Sequence, residues 1–329
     1  MRSLCFQGDT LVHLVGGGRV LGLDGSQRWL PASWADHFDS AVLAPAGRYA
    51  VLFERLGTRA PLVDVTTGQC LRPLHRSDYH ASAYVYPVTL WTSASGHTLL
   101  AHCPDQYNRI EIDNLDTNQR LTASPDRQPG DYFHSRLAAN PSGTRLLSAG
   151  WVWHPWDFVG WTDLRRVREE PTVLDRLQVT PGAFHVGLAE QASATWLSDD
   201  LLLVGSSDEL EDPDEAAEAG DSLRLMSPGL AVVDVRRAAV VQSVPLPYPP
   251  GAMMPVGPDR VVTFYGHPRL VRLRDGHLLH EWPDLDTGRL TGSIQHHLSP
   301  PPPMAIDPRG RRFAVASSDS VAVVDLSAW

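Results

Sequence analysis

The stretch SAVLAPAGRYAVLFERLGTRAPLVDVTTGQCLRPL, residues 40–74, decides the fold. It reads as four strands joined by turns. SAVLAP (40–45) leads through Ala46-Gly47 into RYAVLF (48–53), and PLVDV (61–65) leads through TTG (66–68) into QCLRPL (69–74). The runs are short, apolar and rich in β-branched residues, and glycine with proline punctuates them. Two marks identify the unit: turn chemistry between the first and second runs, and an aspartate that closes the third.

Both marks recur along the whole chain. An apolar run ends in aspartate at Asp24, Asp64, Asp113, Asp163, Asp234, Asp275 and Asp325, at intervals of 40, 49, 50, 71, 41 and 50 residues. A period of about 40–50 residues is that of propeller blades. Only the 71-residue interval is long, and it holds the acidic stretch SSDELEDPDEAAEAGDS, residues 206–222. Tight-turn residues stand upstream of each aspartate, among them Pro45-Ala46-Gly47, Pro141-Ser142-Gly143 and Pro308-Arg309-Gly310. No stretch of useful length shows a 3.6-residue apolar period. Four antiparallel strands cannot bury both of their faces alone, whereas such units packed face to face around an axis can. The expectation is an all-β chain: a single seven-bladed β-propeller with blades of three to four antiparallel strands. The blades fall near 1–32, 37–75, 80–123, 132–180, 185–247, 251–284 and 296–329. The last blade lacks a fourth run, so the ring is expected to close without a full strand exchange.

The turns of Pro-x-Gly type and the VVD and LVD ends of the third run resemble WD40-like and YVTN-type propeller repeats. The resemblance covers nearly the whole chain and implies architecture rather than function. At the seven strand ends, aspartate follows Leu, Val, Ile, Thr or Arg, so the Trp-Asp dipeptide that names the WD40 family is absent from those positions.

Composition narrows the function classes. A formal net charge of -10 disfavours a nucleic-acid partner, because phosphate binding needs a basic face. All 28 basic residues are arginine, so no Schiff-base or phosphate-loop lysine exists. The three cysteines, Cys5, Cys70 and Cys103, have neither disulfide-framework nor zinc-knuckle spacing. No run reaches the ~18–20 apolar residues of a membrane span, and the first residues lack a signal-peptide apolar core, so no membrane role and a cytoplasmic location are expected. No nucleophile elbow and no His-Glu-x-x-His pair is present.

Three features remain as site candidates. A histidine, usually beside an aromatic residue, recurs ahead of the first strand of a blade: His37, His80, His134, His185, and the pair His296 and His297. A residue entering the innermost strand lies near the axis, so these imidazoles are candidates for an axial pocket, and converging imidazoles suit a transition metal. The competing reading is structural: in the propellers this chain resembles, such a histidine bonds within its own blade. The segment WVWHPWDFVGW, residues 151–161, supplies a candidate partner surface of Trp153, Trp156, Asp157 and Trp161, since tryptophan is enriched at binding hot spots. The acidic stretch reads as a solvated loop. Together these point to a scaffold or recognition module that binds a protein or a small ligand through one propeller face, with no resident cofactor. A metal-dependent oxidoreductase or lyase built on the histidines is the alternative.

Overall fold

A computed structural model of the chain describes residues 1–34, 37–153, 156–179, 190–207 and 223–329. Its strands form seven antiparallel sheets in chain order. The first contains β1 (Cys5–Gln7), β2 (Thr10–His13), β3 (Arg19–Gly22) and β4 (Gln27–Trp29). The second contains β5 (Ser40–Leu43), β6 (Tyr49–Phe53), β7 (Arg59–Asp64) and β8 (Gln69–His75), which are the four runs read from residues 40–74. The third contains β9 (Val88–Thr92), β10 (Thr98–His102), β11 (Glu111–Asn114) and β12 (Gln119–Arg120). The fourth contains β13 (Phe133–Ala139), β14 (Arg145–Val152), β15 (Trp156–Asp163) and β16 (Gln178–Val179). The fifth contains β17 (Ser193–Trp196), β18 (Leu201–Gly205), β19 (Gly229–Asp234) and β20 (Ala239–Pro245). The sixth contains β21 (Met253–Val256), β22 (Arg260–Thr263), β23 (Arg269–Arg272) and β24 (Leu278–Glu281). The seventh has three strands, β25 (Met304–Ile306), β26 (Arg312–Ala316) and β27 (Val321–Asp325). Among the described residues the only helical pieces are two 3₁₀ turns, Ala81–Ala83 and Pro171–Asp175.

The first strand of each blade is innermost. β1 touches β5 and β25, β9 touches β5 and β13, and β17 touches β13 and β21. The two-residue period of a strand then sends alternate side chains to opposite neighbours. In β6, Ala50 and Leu52 pack with Val12 and Leu14 of blade one. Tyr49, Val51 and Phe53 of the same strand pack with Val88, Leu90 and Leu100 of blade three. Each seam around the ring carries such a cluster, including the closing one, where Leu4, Phe6 and Leu11 meet Ala305, Ala314 and Ala316. There Arg312 also donates to the Gly8 carbonyl at 2.8 Å and pairs with Asp9 at 3.1 Å. Among the described strands, blade one consists of β1–β4 and blade seven of β25–β27, with no strand exchanged between them.

The strand-ending aspartates serve their turns. The Asp64 carboxylate accepts from the Thr66 and Thr67 backbone N–H groups and from Arg48. Burial raises its pKa, but those bonds prevail and hold it at about 2. In the turn of blade two, Gly47 has φ +76, a conformation that glycine adopts without steric cost.

One connection departs from the repeat. After β24 the chain does not pass straight into blade seven. Residues 282–303 cross the ring as a strap. Gly288 bridges to Gly266 of blade six, and Ile294 bridges to Tyr84, which precedes blade three. The Ser293 N–H donates to both carboxylate oxygens of Asp157 at 2.8 and 3.0 Å, and its hydroxyl donates to the Gly150 carbonyl at 2.9 Å. Arg136 of β13 donates to the Ser293 hydroxyl at 2.8 Å. At Gly292 a Cβ would lie 1.6 Å from an Asp157 oxygen, so only glycine admits this approach.

Most of the acidic stretch, residues 208–222, lies outside the described residues. Its flanks are tied to each other: the Ser206 hydroxyl donates to the Met226 carbonyl at 2.5 Å, and the Ser227 hydroxyl to the Ser207 carbonyl at 3.2 Å. No helix among the described residues is long and apolar enough to cross a membrane.

Candidate functional site

Antiparallel strands return the chain to the same end every second turn. The loops entering each blade and the hairpins between its second and third strands therefore share one face. On that face, between blades three and four, aromatic side chains form a continuous stack. Its base is buried: Phe133 lies on Trp151 with ring centroids 3.9 Å apart and planes 13° from parallel, and Tyr107 lies on Phe133 at 4.3 Å. Its top is open: Tyr79 is 48% exposed and Trp153 is 49% exposed. His80 joins them, 4.4 Å from Tyr79 and 5.1 Å from Trp153. Tyr107 is fixed from the side by donating its hydroxyl to Asp131 at 2.8 Å.

The loop that carries Tyr79 and His80 is held from below by Arg76. Its guanidinium donates to the carbonyls of Gly57, Ala81, Tyr84 and Val85 at 2.6–3.2 Å and lies 4.6 Å above the Tyr84 ring. His80 itself sits in the left-handed region at φ 51. A non-glycine residue there costs on the order of 1 kcal/mol or more and persists where its surroundings over-determine it. The platform is thus prearranged rather than loose.

The sequence candidates separate on this face. Trp153 and Trp156 are at the surface, the latter 43% exposed. Trp161 is fully buried between blades four and five and donates its Nε1 to Gln178 at 3.0 Å. It cannot serve as a contact surface, because β15 is a middle strand and its neighbours cover both faces. Asp157 is also buried and is used by the strap. His154 and Pro155 lie outside the described residues.

The histidines are dispersed. His37 is exposed and lines an axial cavity of about 540 Å³. His80 belongs to the aromatic stack. His296 and His297 are exposed neighbours on the strap, well ahead of β25. His185 lies outside the described residues. His134 is within β13 and buried; its Nε2 donates to the Asn108 carbonyl at 3.2 Å, so its Nδ1 accepts from the Ser148 hydroxyl at 3.0 Å. Burial pushes its pKa down to about 3, which makes it a neutral structural imidazole that ties Ser148 of its own blade to the Asn108 loop of blade three. Among the described residues no group of three or more His, Cys, Asp or Glu side chains is placed to hold a metal ion.

A second histidine that the repeat did not mark is also structural. His102 of β10 bonds Asp113 of β11 at 3.1 Å, and Arg72 and Arg120 pair with the same carboxylate at 2.5 and 2.9 Å. Burial alone would raise the Asp113 pKa, but these bonds hold it far below the ordinary carboxylate range.

The sequence reading missed Tyr79, Tyr107 and Phe133. The signal is present in Asp-Tyr-His and Tyr-Phe-His, where the aromatic residue beside the histidine joins the stack, Tyr79 at its open top and Phe133 in its buried base.

No family model matches the chain, and no curated protein matches it. Its fold is similar to that of a chain of hydrazine synthase from Kuenenia stuttgartiensis, with 12% identity and a TM-score of 0.61 over 99% of this chain and 95% of that one. It is similar also to a chain in the mitotic checkpoint complex, with 14% identity and a TM-score of 0.62 over 99% and 86%. Both show the fold alone. The chain is a single seven-bladed β-propeller.

Proposed function

We propose that this chain is a non-catalytic recognition module that binds a protein partner through the face carrying the aromatic stack. One observation carries the reading: a buried aromatic base holds Tyr79 and Trp153 nearly half exposed on one rigid rim, with Trp156 exposed at a strand end of the same face. Exposed large aromatic side chains that pay no ordering cost on contact are the residues that concentrate binding energy. A propeller supplies a rigid ring whose loops are free to vary, so recognition belongs to the loops. The similar chain in the mitotic checkpoint complex belongs to a multi-component assembly, while the other similar chain belongs to an enzyme, so the fold itself does not choose. The rim does.

The positions of the histidines argue against the rival enzyme reading, since His134 has both ring nitrogens engaged and His80 is committed to the stack. Cross-linked capture from the native host tests the proposal, comparing the unaltered chain with Trp153→Ala and with Arg236→Ala on the opposite face. Loss of the same protein from the Trp153 variant alone supports it. Stoichiometric transition metal in protein purified without a histidine tag would instead restore the enzyme reading.

A further inference from the structure

The strap does not fill the opening of the ring. Beside it remains the cavity of about 540 Å³, within the range of small-molecule sites. Its walls come from the start of blade one, the entry to blade two, blade six and the strap. Most are apolar, with Leu4, Phe38, Phe264, Leu290 and Pro300–Pro303 contributing. Among the described residues that line it are two arginines, Arg2 and Arg55, and one aspartate, Asp39, in a chain whose overall formal charge is -10.

Arg55 is the informative member. It follows β6, half-buried, and among the described residues its guanidinium has neither a hydrogen-bond nor an ion-pair partner. The nearby Asp39 carboxylate is engaged elsewhere, accepting the Arg55 backbone N–H at 2.9 Å and the Ser40 hydroxyl at 2.9 Å. Burial lowers the Arg55 pKa, and the Asp39 charge offsets that only in part. A half-buried guanidinium without a protein partner leaves donors free for a ligand, and a carboxylate satisfies them through two parallel N–H···O bonds. Two buried arginines illustrate the contrast: Arg76 spends its donors on carbonyls, and Arg127 pairs with Asp175 at 2.6 Å.

We propose that the axial cavity is a binding site for a small organic monocarboxylate with an aromatic or branched apolar body, its carboxylate held by Arg55 and its body lying against Phe38, Phe264 and the proline run of the strap. The cavity is separate from the aromatic rim, so this site stands or falls independently of the partner surface.

Calorimetric titration with phenylacetate and with its neutral analogue phenylacetamide tests it on the unaltered chain. Phenylacetate is expected to bind in the millimolar range or tighter, and phenylacetamide at least about tenfold more weakly, since a hydrogen bond to a charged group is at stake. Arg55→Gln is expected to weaken phenylacetate by at least about tenfold, to leave phenylacetamide unchanged, and to keep the thermal midpoint. Trp153→Ala is expected to leave both titrations as they were. Equal binding of acid and amide, undiminished binding to Arg55→Gln, or no binding of phenylacetate up to its solubility would overturn the site.

Discussion

Burial of the His134 imidazole fixes a pH dependence at the scale of one residue. Its folded pKa, about 3, lies below the unfolded value near 6.5, so the unfolded chain binds the proton more readily. The stability that neutral His134 contributes is complete above pH 6.5 and is lost progressively as pH falls toward 3. Between pH 7 and pH 5, above the range of ordinary carboxylates, the loss is expected to be about 2 kcal/mol. Urea unfolding of the chain and of His134→Gln at those two pH values checks this: the variant is expected to show a clearly flatter dependence, and equal slopes would contradict the assignment. The tryptophans of residues 151–161 give a second pair of outcomes. Trp161→Ala is expected to cost about 3–5 kcal/mol, as for other large core truncations. Trp156→Ala is expected to leave the thermal midpoint almost unchanged. The sequence could not separate these two, because alternation tells which residues share a face but not which faces a neighbouring blade covers. In a propeller both faces of a middle strand are covered, and only strand ends such as Trp153 and Trp156 reach solvent.

At the scale of elements, strands and turns were legible and the strap was not. Strands announce themselves through short-range alternation and turn residues, as in 40–74. The strap has no period of its own; it is defined by bonds between Ser293 and residues 136–157, far away in the chain. Sequence spacing therefore places His296 and His297 at the entry to blade seven, whereas they lie on the strap. Asp157 is the clasp. In Asp157→Ala the buried Ser293 N–H loses its acceptor, at a cost of about 1–3 kcal/mol. Hydrogen exchange at residues 290–296 is expected to accelerate markedly in that variant, and unchanged protection would show that the strap is held by other contacts. The acidic stretch is expected to behave in the opposite way. Its flanks are already tied together through Ser206, Ser207, Met226 and Ser227, and closure entropy changes only slowly with loop length. Replacement of residues 208–222 by a short Gly-Ser link is expected to shift the thermal midpoint by no more than a few degrees, and a failure to fold would make the stretch structural.

At the scale of the whole molecule, the ring was legible because one physical need repeats seven times: each unit of three or four strands must cover two apolar faces, and the Asp-ended runs count the units. Function was only partly legible for the complementary reason. The loops that build a face are irregular, and their meeting places, Tyr79 with Trp153 or Arg55 with Phe264, follow from the ring geometry and not from any local spacing. The face therefore combines a rigid exposed aromatic rim with a cavity lined by two arginines, in an otherwise acidic molecule. The central claim is that the rim recognises a partner, and one measurement addresses it most directly: the equilibrium affinity of the captured partner for the unaltered chain, for Trp153→Ala and for Arg236→Ala on the far face. The account predicts a loss of about 2 kcal/mol, roughly 30-fold, for Trp153→Ala, with Arg236→Ala neutral and both thermal midpoints preserved. Unchanged affinity for Trp153→Ala with a large loss for Arg236→Ala would place recognition on the other end of the ring and contradict it.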